Sequence, residues 1–273
     1  MAELIHFAHA NGFPSGSYRK LFKALEGELD IIAIDRLGHD PAMPIDDNWV
    51  NPAKELCSYV AKHANQPVYA IGHSFGAVVS YLACCMQPQL FKGLLMLEPP
   101  LAVGLQQPVF RLLKKTPLID KVTPAGLSKY RKYEWQRDED VVGYFKQKGL
   151  FRPMDPECVE DYVASAIEHH GDVWKLRFHV DVETAIFRTL PHNLSRFYGR
   201  LQCPSMMVTA EHSNVCKPSR IKPFLRGNRM PHQVFSNAGH MFPLEQPKQV
   251  AKLIKQLISD MAQSTAPSDA LAG

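Results

Sequence analysis

No run of apolar residues approaches the roughly eighteen that a membrane-spanning helix requires. The opening Met1-Ala2-Glu3-Leu4-Ile5-His6 has neither the basic start nor the apolar stretch of a secretory signal. The six cysteines (Cys57, Cys84, Cys85, Cys158, Cys203 and Cys216) contain no Cys-x-x-Cys pair and no regular spacing. They read as small apolar core residues in a reducing, cytoplasmic setting. No long basic run accompanies the net charge of +4, so a nucleic-acid partner is not expected. There is no His-Glu-x-x-His or paired-carboxylate cluster, and His169-His170 are adjacent rather than a helical turn apart, so no metal site is expected. A glycine-rich phosphate loop is also missing, which leaves no nucleotide or redox cofactor implied. Nothing in the sequence specifies an oligomeric state.

What remains is an ordinary globular composition, 45% hydrophobic and 21% charged over 273 residues. That length suits one domain carrying an insertion, with a core large enough to need neither disulfide nor metal. Four short apolar runs, Leu4–Ala8, Asp30–Ile34, Val68–Ile71 and Gly93–Leu97, read as buried parallel strands. Helical intervals over Tyr18–Glu26, Pro52–His63 and Ala77–Met86 separate them. After Pro99-Pro100 the strand pattern stops. Residues 101–200 read as a helical insertion, with a clear helix over Val159–Glu168 opened by Asp155-Pro156-Glu157. The basic stretch from Lys129 to Arg137, interleaved with Tyr130, Tyr133 and Trp135, reads as a solvated helix face. Strands return at Ser205–Thr209 and His232–Phe235, and Lys248–Met261 carries one continuous apolar stripe. The expected division is a core of residues 1–100 and 201–262, a cap of 101–200 and a frayed tail of 263–273.

The informative motif is Gly72-His73-Ser74-Phe75-Gly76, set between the Val68–Ile71 strand and the Ala77–Met86 helix. A serine on a sharp strand-to-helix turn has strained backbone angles, and its neighbours two residues away must approach adjacent main chain closely. Gly72 and Gly76 permit that. The helix start places free N–H groups and a positive dipole end beneath the serine, where an oxyanion would form. His73 should point away from Ser74, because adjacent side chains in a turn diverge. Among twelve histidines, His240 is singled out as base by its place in a loop between the last strand and the terminal helix. His9, His39 and His212 read as structural.

Taken together, the elbow at Ser74, Asn11-Gly12-Phe13-Pro14 after the first strand, Asp35-Arg36-Leu37-Gly38-His39 after the second, and Asn237-Ala238-Gly239-His240 after the last resemble the α/β-hydrolase family over nearly the whole chain. The resemblance implies a mostly parallel α/β sheet of the eight-stranded type, short at its N-terminal edge, flanked by helices and covered by an inserted helical cap. It implies main-chain amides of Phe13 and Phe75 as oxyanion donors. Asn11 stands where the family's loop histidine usually sits, either holding the loop through its own hydrogen bonds or touching substrate. The family's triad aspartate would align with Ser213, which cannot stabilise an imidazolium. Two carboxylates could replace it: Glu98, at the end of the Gly93–Leu97 strand, and Glu211, two residues early in the usual loop.

A serine nucleophile argues against dehalogenase or epoxide-hydrolase chemistry, which the fold runs on aspartate. The expected activity is hydrolysis of a carboxylic ester or related acyl bond of a small hydrophobic molecule. A C–C bond hydrolase or a thioesterase is the alternative. A non-catalytic ligand-binding protein of the same fold is the reading from another class, kept open by Ser213.

Overall fold

In a computed structural model, which describes residues 2–104 and 106–265, the chain builds one six-stranded sheet and one small three-stranded sheet. In chain order the strands are β1 (Glu3–Ala8), β2 (Leu29–Ile32), β3 (Val68–His73), β4 (Phe91–Leu97), β5 (Glu134–Gln136), β6 (Ile167–His170), β7 (Val173–Leu176), β8 (Ser205–Ala210) and β9 (His232–Phe235). The large sheet runs β2-β1-β3-β4-β8-β9, every pair parallel.

A parallel sheet must be covered on both faces, and the strands supply apolar side chains to each in alternation. Ile5, Phe7, Tyr69, Ile71, Leu95 and Leu97 pack on one side with the Pro247–Thr265 helix. Ala8, Val68, Ala70, Leu94 and Met96 pack on the other, beneath the Val50–His63 and Phe75–Met86 helices. That two-sided burial explains why these strands read as continuous apolar runs. Strand order reverses between β1 and β3, which are level at Ala8 and Gly72. The chains leaving those two strands therefore emerge side by side at the switch point, where ligands of such sheets bind.

Residues 101–200 enter between β4 and β8, and here the structure corrects the expectation of an all-helical insertion. It contains the antiparallel sheet β5-β7-β6. The Lys129–Arg137 stretch is not a solvated helix face. The Ala125–Lys129 helix ends there and Glu134–Gln136 becomes β5, with Trp135 buried. The period-two placement of Tyr133 and Trp135 was the strand signal, obscured by the basic residues on either side of the pair. The predicted helix over Val159–Glu168 stops at Ala166 because Ile167–His170 pairs with β7. Its start is as expected, with the Asp155 side chain capping the Glu157 amide at 3.0 Å.

The frayed tail needs a correction too. Gln263, Ser264 and Thr265 belong to the last helix, because its apolar stripe anchors the turns before them. Residues 266–273 lie outside the described residues. All six cysteines are unbridged, five of them buried. No helix among the described residues is long and apolar enough to cross a membrane.

Candidate active site

Three of the six non-glycine residues with positive φ among the described residues, Ser74, Glu98 and Asn237, lie just beyond the carboxyl ends of β3, β4 and β9. Backbone strain of this kind persists only where surrounding structure enforces it, and it clusters at functional sites. Ser74 has φ 54° and ψ −116° and caps the Phe75–Met86 helix. A Cβ at Gly72 would fall on the Gly76 carbonyl, and one at Gly76 on the Ala8 carbonyl. Both glycines are therefore required by close main-chain approach, as the motif predicted. Phe75 is the first residue of the helix, so its amide has no intrahelical acceptor.

The loop after β9 brings His240 Nε2 to 3.1 Å from Ser74 Oγ. Glu245 shapes that loop by accepting from the amides of Gly239 (2.7 Å) and Met241 (3.1 Å). Burial lowers the His240 pKa to about 4, so the ring is neutral near pH 7 and its Nε2 can take a proton. His240 Nδ1 is buried without a hydrogen-bond partner.

A second histidine fixes the His240 loop from behind. His73 points away from Ser74, and its Nε2 lies 2.9 Å from the His240 carbonyl oxygen. A carbonyl only accepts, so Nε2 carries the proton and Nδ1 is an acceptor for the Tyr18 hydroxyl at 2.7 Å. Tyr18 in turn accepts from the Ala10 amide at 3.1 Å. One chain of hydrogen bonds, Ala10 to Tyr18 to His73 to His240, thus ties the first loop, the elbow and the His240 loop together. Burial holds His73 down to about 3, so its tautomer persists across neutral pH. Tyr18 was not singled out from the sequence, where a tyrosine at a helix start carries no signal. His9 is structural in the same manner, accepting from the Leu37 amide at 2.7 Å and lying 2.9 Å from the Ala10 carbonyl. His39 packs edge-on against Phe178.

Of the two alternative carboxylates, Glu211 is exposed and accepts from the Asn237 amide at 2.8 Å. Glu98 is wholly buried. Its main chain has φ 49°, and its carboxylate crosses to the loop after β8. There it accepts from the amides of Ala210 (2.6 Å) and Cys216 (3.2 Å) and from the Ser213 hydroxyl. The Glu98 carboxylate thus occupies the loop after β8, where the Ser213 hydroxyl solvates it. Glu98 makes no hydrogen bond to His240. Burial pushes its pKa up to about 7 against the lowering effect of those donors.

In the first loop, the Phe13 amide donates to the Ala10 carbonyl at 3.1 Å. Asn11 holds a neighbour rather than its own loop: its Nδ2 donates to the Glu183 carbonyl at 3.0 Å. Asn11 Oδ1 is buried without a partner. Facing it is a charged cluster that sequence reasoning missed. Arg131 pairs with Glu183 at 2.6 Å and donates to the Tyr162 hydroxyl at 2.9 Å, while Ser128 donates to Glu183 at 2.9 Å. No local pattern relates Arg131 to Glu183; only the fold makes them neighbours.

These residues surround a cavity of about 1140 Å³ that contains Ser74 and His240. Asn11, Arg131 and Glu183 are polar points in a wall formed largely by apolar side chains, among them Phe13, Phe75, Phe110, Phe145, Phe151 and Phe187. Trp135, Trp174 and Phe178, other large aromatics of the insertion, do not line it.

A doubly wound parallel sheet, a strained serine at its switch point and a histidine within hydrogen-bond reach define the class of α/β hydrolases with a serine at the elbow. The profile of the alpha/beta hydrolase family matches residues 7–253, and the chain belongs to that family. It is similar to a monoglyceride lipase homolog of Monkeypox virus, 29% identical over 148 residues, covering 51% of this chain and 53% of that protein. It is also similar to a type I acyl-CoA thioesterase of Penicillium brevicompactum, 22% identical, covering 56% of this chain and 37% of the other. The chain therefore spans about half or less of the length of these relatives. Among solved structures, an E-2-(acetamidomethylene)succinate hydrolase superposes with TM-score 0.77 at 17% identity, covering 95% and 92% of the two chains. The peroxisomal α/β-hydrolase Lpx1 of Saccharomyces cerevisiae superposes with TM-score 0.79 at 14% identity, covering 98% and 80%. At these identities the superpositions establish the fold.

Proposed function

We propose that this hydrolase cleaves a carboxylic ester of a small hydrophobic molecule through an acyl-enzyme on Ser74. The observation that carries the reading is the 3.1 Å approach of neutral His240 to Ser74 Oγ inside a large apolar cavity. In this mechanism Ser74 Oγ attacks the ester carbonyl carbon as its proton passes to His240 Nε2. The tetrahedral oxyanion takes the Phe75 amide and the Phe13 amide, the latter leaving its bond to Ala10. Collapse breaks the carbon–alkoxy bond, and the His240 proton goes to the departing alcohol. Water then repeats the sequence, releasing the acid and restoring Ser74.

Glu98 is the acid in this reading, and Glu211, turned to the surface, is not. An unpartnered His240 Nδ1 calls for a carboxylate, and Glu98 is the buried one delivered to the loop where the family places its acid. Closure of Glu98 onto Nδ1 as charge develops on the ring would supply the missing stabilisation. Residues 101–200 act as the cap, with Asn11 Oδ1 available to a hydroxyl or N–H of substrate. The unbridged cysteines support a cytoplasmic setting. Thioester hydrolysis is the second reading, favoured by the Penicillium relative.

Fluorophosphonate labelling tests the enzyme reading. Label should fall on Ser74 and vanish in Ser74→Ala, with ester turnover down by on the order of 10⁴-fold or more. Folded protein that takes no label is instead a ligand-binding member of the family. A panel of p-nitrophenyl esters, run beside a thioester and a C–C substrate, ranks the bond types.

A further inference from the structure

Of the ten exposed large apolar side chains among the described residues, eight lie between positions 109 and 150. Five of those eight border the cavity described above. Val109, Val122, Leu127, Tyr130 and Leu150 are each exposed and cavity-lining, and Val215 joins them from the core side. Leu127 and Tyr130 are about four-fifths exposed, at 81% and 80%. Single exposed apolar residues are normal, but a contiguous apolar ring around one opening marks a surface that meets something.

Charge says what it meets. Residues 109–152 contain eleven Lys and Arg against five Asp and Glu, a surplus larger than the +4 of the entire chain. The remainder of the protein is therefore slightly acidic. The free cations stand beside the apolar rim in sequence: Lys121 next to Val122, Lys129 next to Tyr130, Lys148 two residues before Leu150. None of the three makes an ion pair among the described residues. Lys148 Nζ lies 4.1 Å from the centre of the Tyr144 ring at the same opening.

We propose that this rim docks the protein on an anionic phospholipid bilayer and opens the cavity directly onto it, so that the substrate is an acyl ester resident in the membrane. The substrate half of this statement rests on the esterase reading above; the docking half does not. Apolar side chains that enter the acyl boundary, flanked by lysines at headgroup level, are the elements of peripheral membrane attachment. No described helix is able to span the bilayer, so contact is from one side. A second copy of the chain is a poor occupant, because face-to-face docking would oppose two strongly basic surfaces and seal both cavities. A lipid surface neutralises the charge and feeds the opening.

Vesicle co-sedimentation of the full chain tests this. Binding to phosphatidylcholine vesicles containing phosphatidylglycerol should exceed binding to pure phosphatidylcholine by on the order of a hundredfold and weaken with added salt. Lys121→Gln, Lys129→Gln and Lys148→Gln together should reduce it by about a hundredfold. Leu127→Ser with Tyr130→Ser should reduce it by about tenfold. Equal binding to both vesicle types, or none, overturns the proposal. So does a dimer on gel filtration that Leu127→Ser dissociates while vesicles are ignored. Running Ser74→Ala in parallel separates the two readings. Protein that docks but hydrolyses nothing fails the esterase reading alone. Protein that hydrolyses soluble esters but ignores vesicles fails this one alone.

Discussion

The core side and the cap side of the cavity are held by different forces. On the core side, the Ala10–Tyr18–His73–His240 chain consists of neutral groups, with Tyr18 and His73 each hydrogen-bonded on both sides and His73 kept uncharged by burial. On the cap side, the fixed point is an ion pair between Arg131 and Glu183, supported by Ser128 and Tyr162. Neutral buried bonds depend on close geometry and suit a site whose reacting atoms must stay within a few tenths of an ångström. An ion pair tolerates displacement and suits a wall that accommodates a ligand. The cap-side region also carries most of the exposed apolar surface. The two regions meet at Asn11, whose Nδ2 reaches the Glu183 main chain.

The sharpest way to break the contrast is on the core side. Glu98→Gln should lower turnover by about a thousandfold if Glu98 supports the imidazolium, with circular dichroism unchanged. The wild-type pH–rate profile should rise with a midpoint near 7, where Glu98 ionises. Glu98→Gln should lose that limb. A wild-type profile with its only midpoint near 4, the value of His240, would remove Glu98 from the mechanism.

Acid should separate the regions next. His6 and His73 are lowered to about 3, and His9 and His240 to about 4, all mainly by burial. An unfolded histidine takes its proton near 6.5, so between those values the unfolded chain binds more protons than the folded one. Stability is therefore complete above about pH 6.5 and falls as pH drops toward 4 and 3. Glu98, raised to about 7, works in the opposite sense: it disfavours folding as pH rises from 4.5 to 7. His39 is likewise lowered to about 4 and Glu55 likewise raised to about 7, so denaturant melts at a series of pH values should show a net loss toward acid, because five histidines oppose two carboxyls.

The cap-side pair gives a smaller and purely structural effect. Glu183→Gln leaves Arg131 buried with its charge uncompensated and should cost about 3 kcal/mol in urea unfolding. Arg131→Met with Glu183→Leu should recover most of that loss, since an apolar pair carries no desolvation penalty. A Glu183→Gln protein as stable as the wild type would show that the cap is not held by charge. Smallest is Tyr18→Phe, which leaves the Ala10 amide and His73 Nδ1 unpartnered at a cost of about 1–2 kcal/mol. It should lower kcat by roughly tenfold with KM nearly unchanged, because the base loop is loosened while the cavity wall is untouched.

The difference between the regions also explains what could be read in advance. The six core strands and the helices between them were legible because each buries two faces or one stripe, which leaves a period in the residues themselves. Ser74 and His240 were legible because a strained turn and a loop after the last strand have local signatures in Gly72, Gly76 and Gly239. The small sheet β5-β7-β6 was not, because its strands are three or four residues long and carry Lys, Glu and His on their exposed sides. Glu98 was legible as a candidate because it follows the strand that neighbours the one leading to Ser74. That its carboxylate would lie among Ala210, Ser213 and Cys216 was not.

The sequence by itself determined the order of the strands' apolar runs, the elbow that strains Ser74, the loop that carries His240 and the substitution of Ser213 for an acid. These are fixed by neighbours a few residues apart, through sterics and periodicity. Tertiary structure alone decided that Tyr18 and His73 lock the His240 loop, that Arg131 finds Glu183, that Glu98 reaches across to the loop after β8 and that five exposed apolar residues of the 101–200 insertion border one cavity. Each of those is a contact between segments far apart in the chain. No local preference encodes such a meeting; it exists only once burial of the two apolar faces has brought the strand ends and the insertion together.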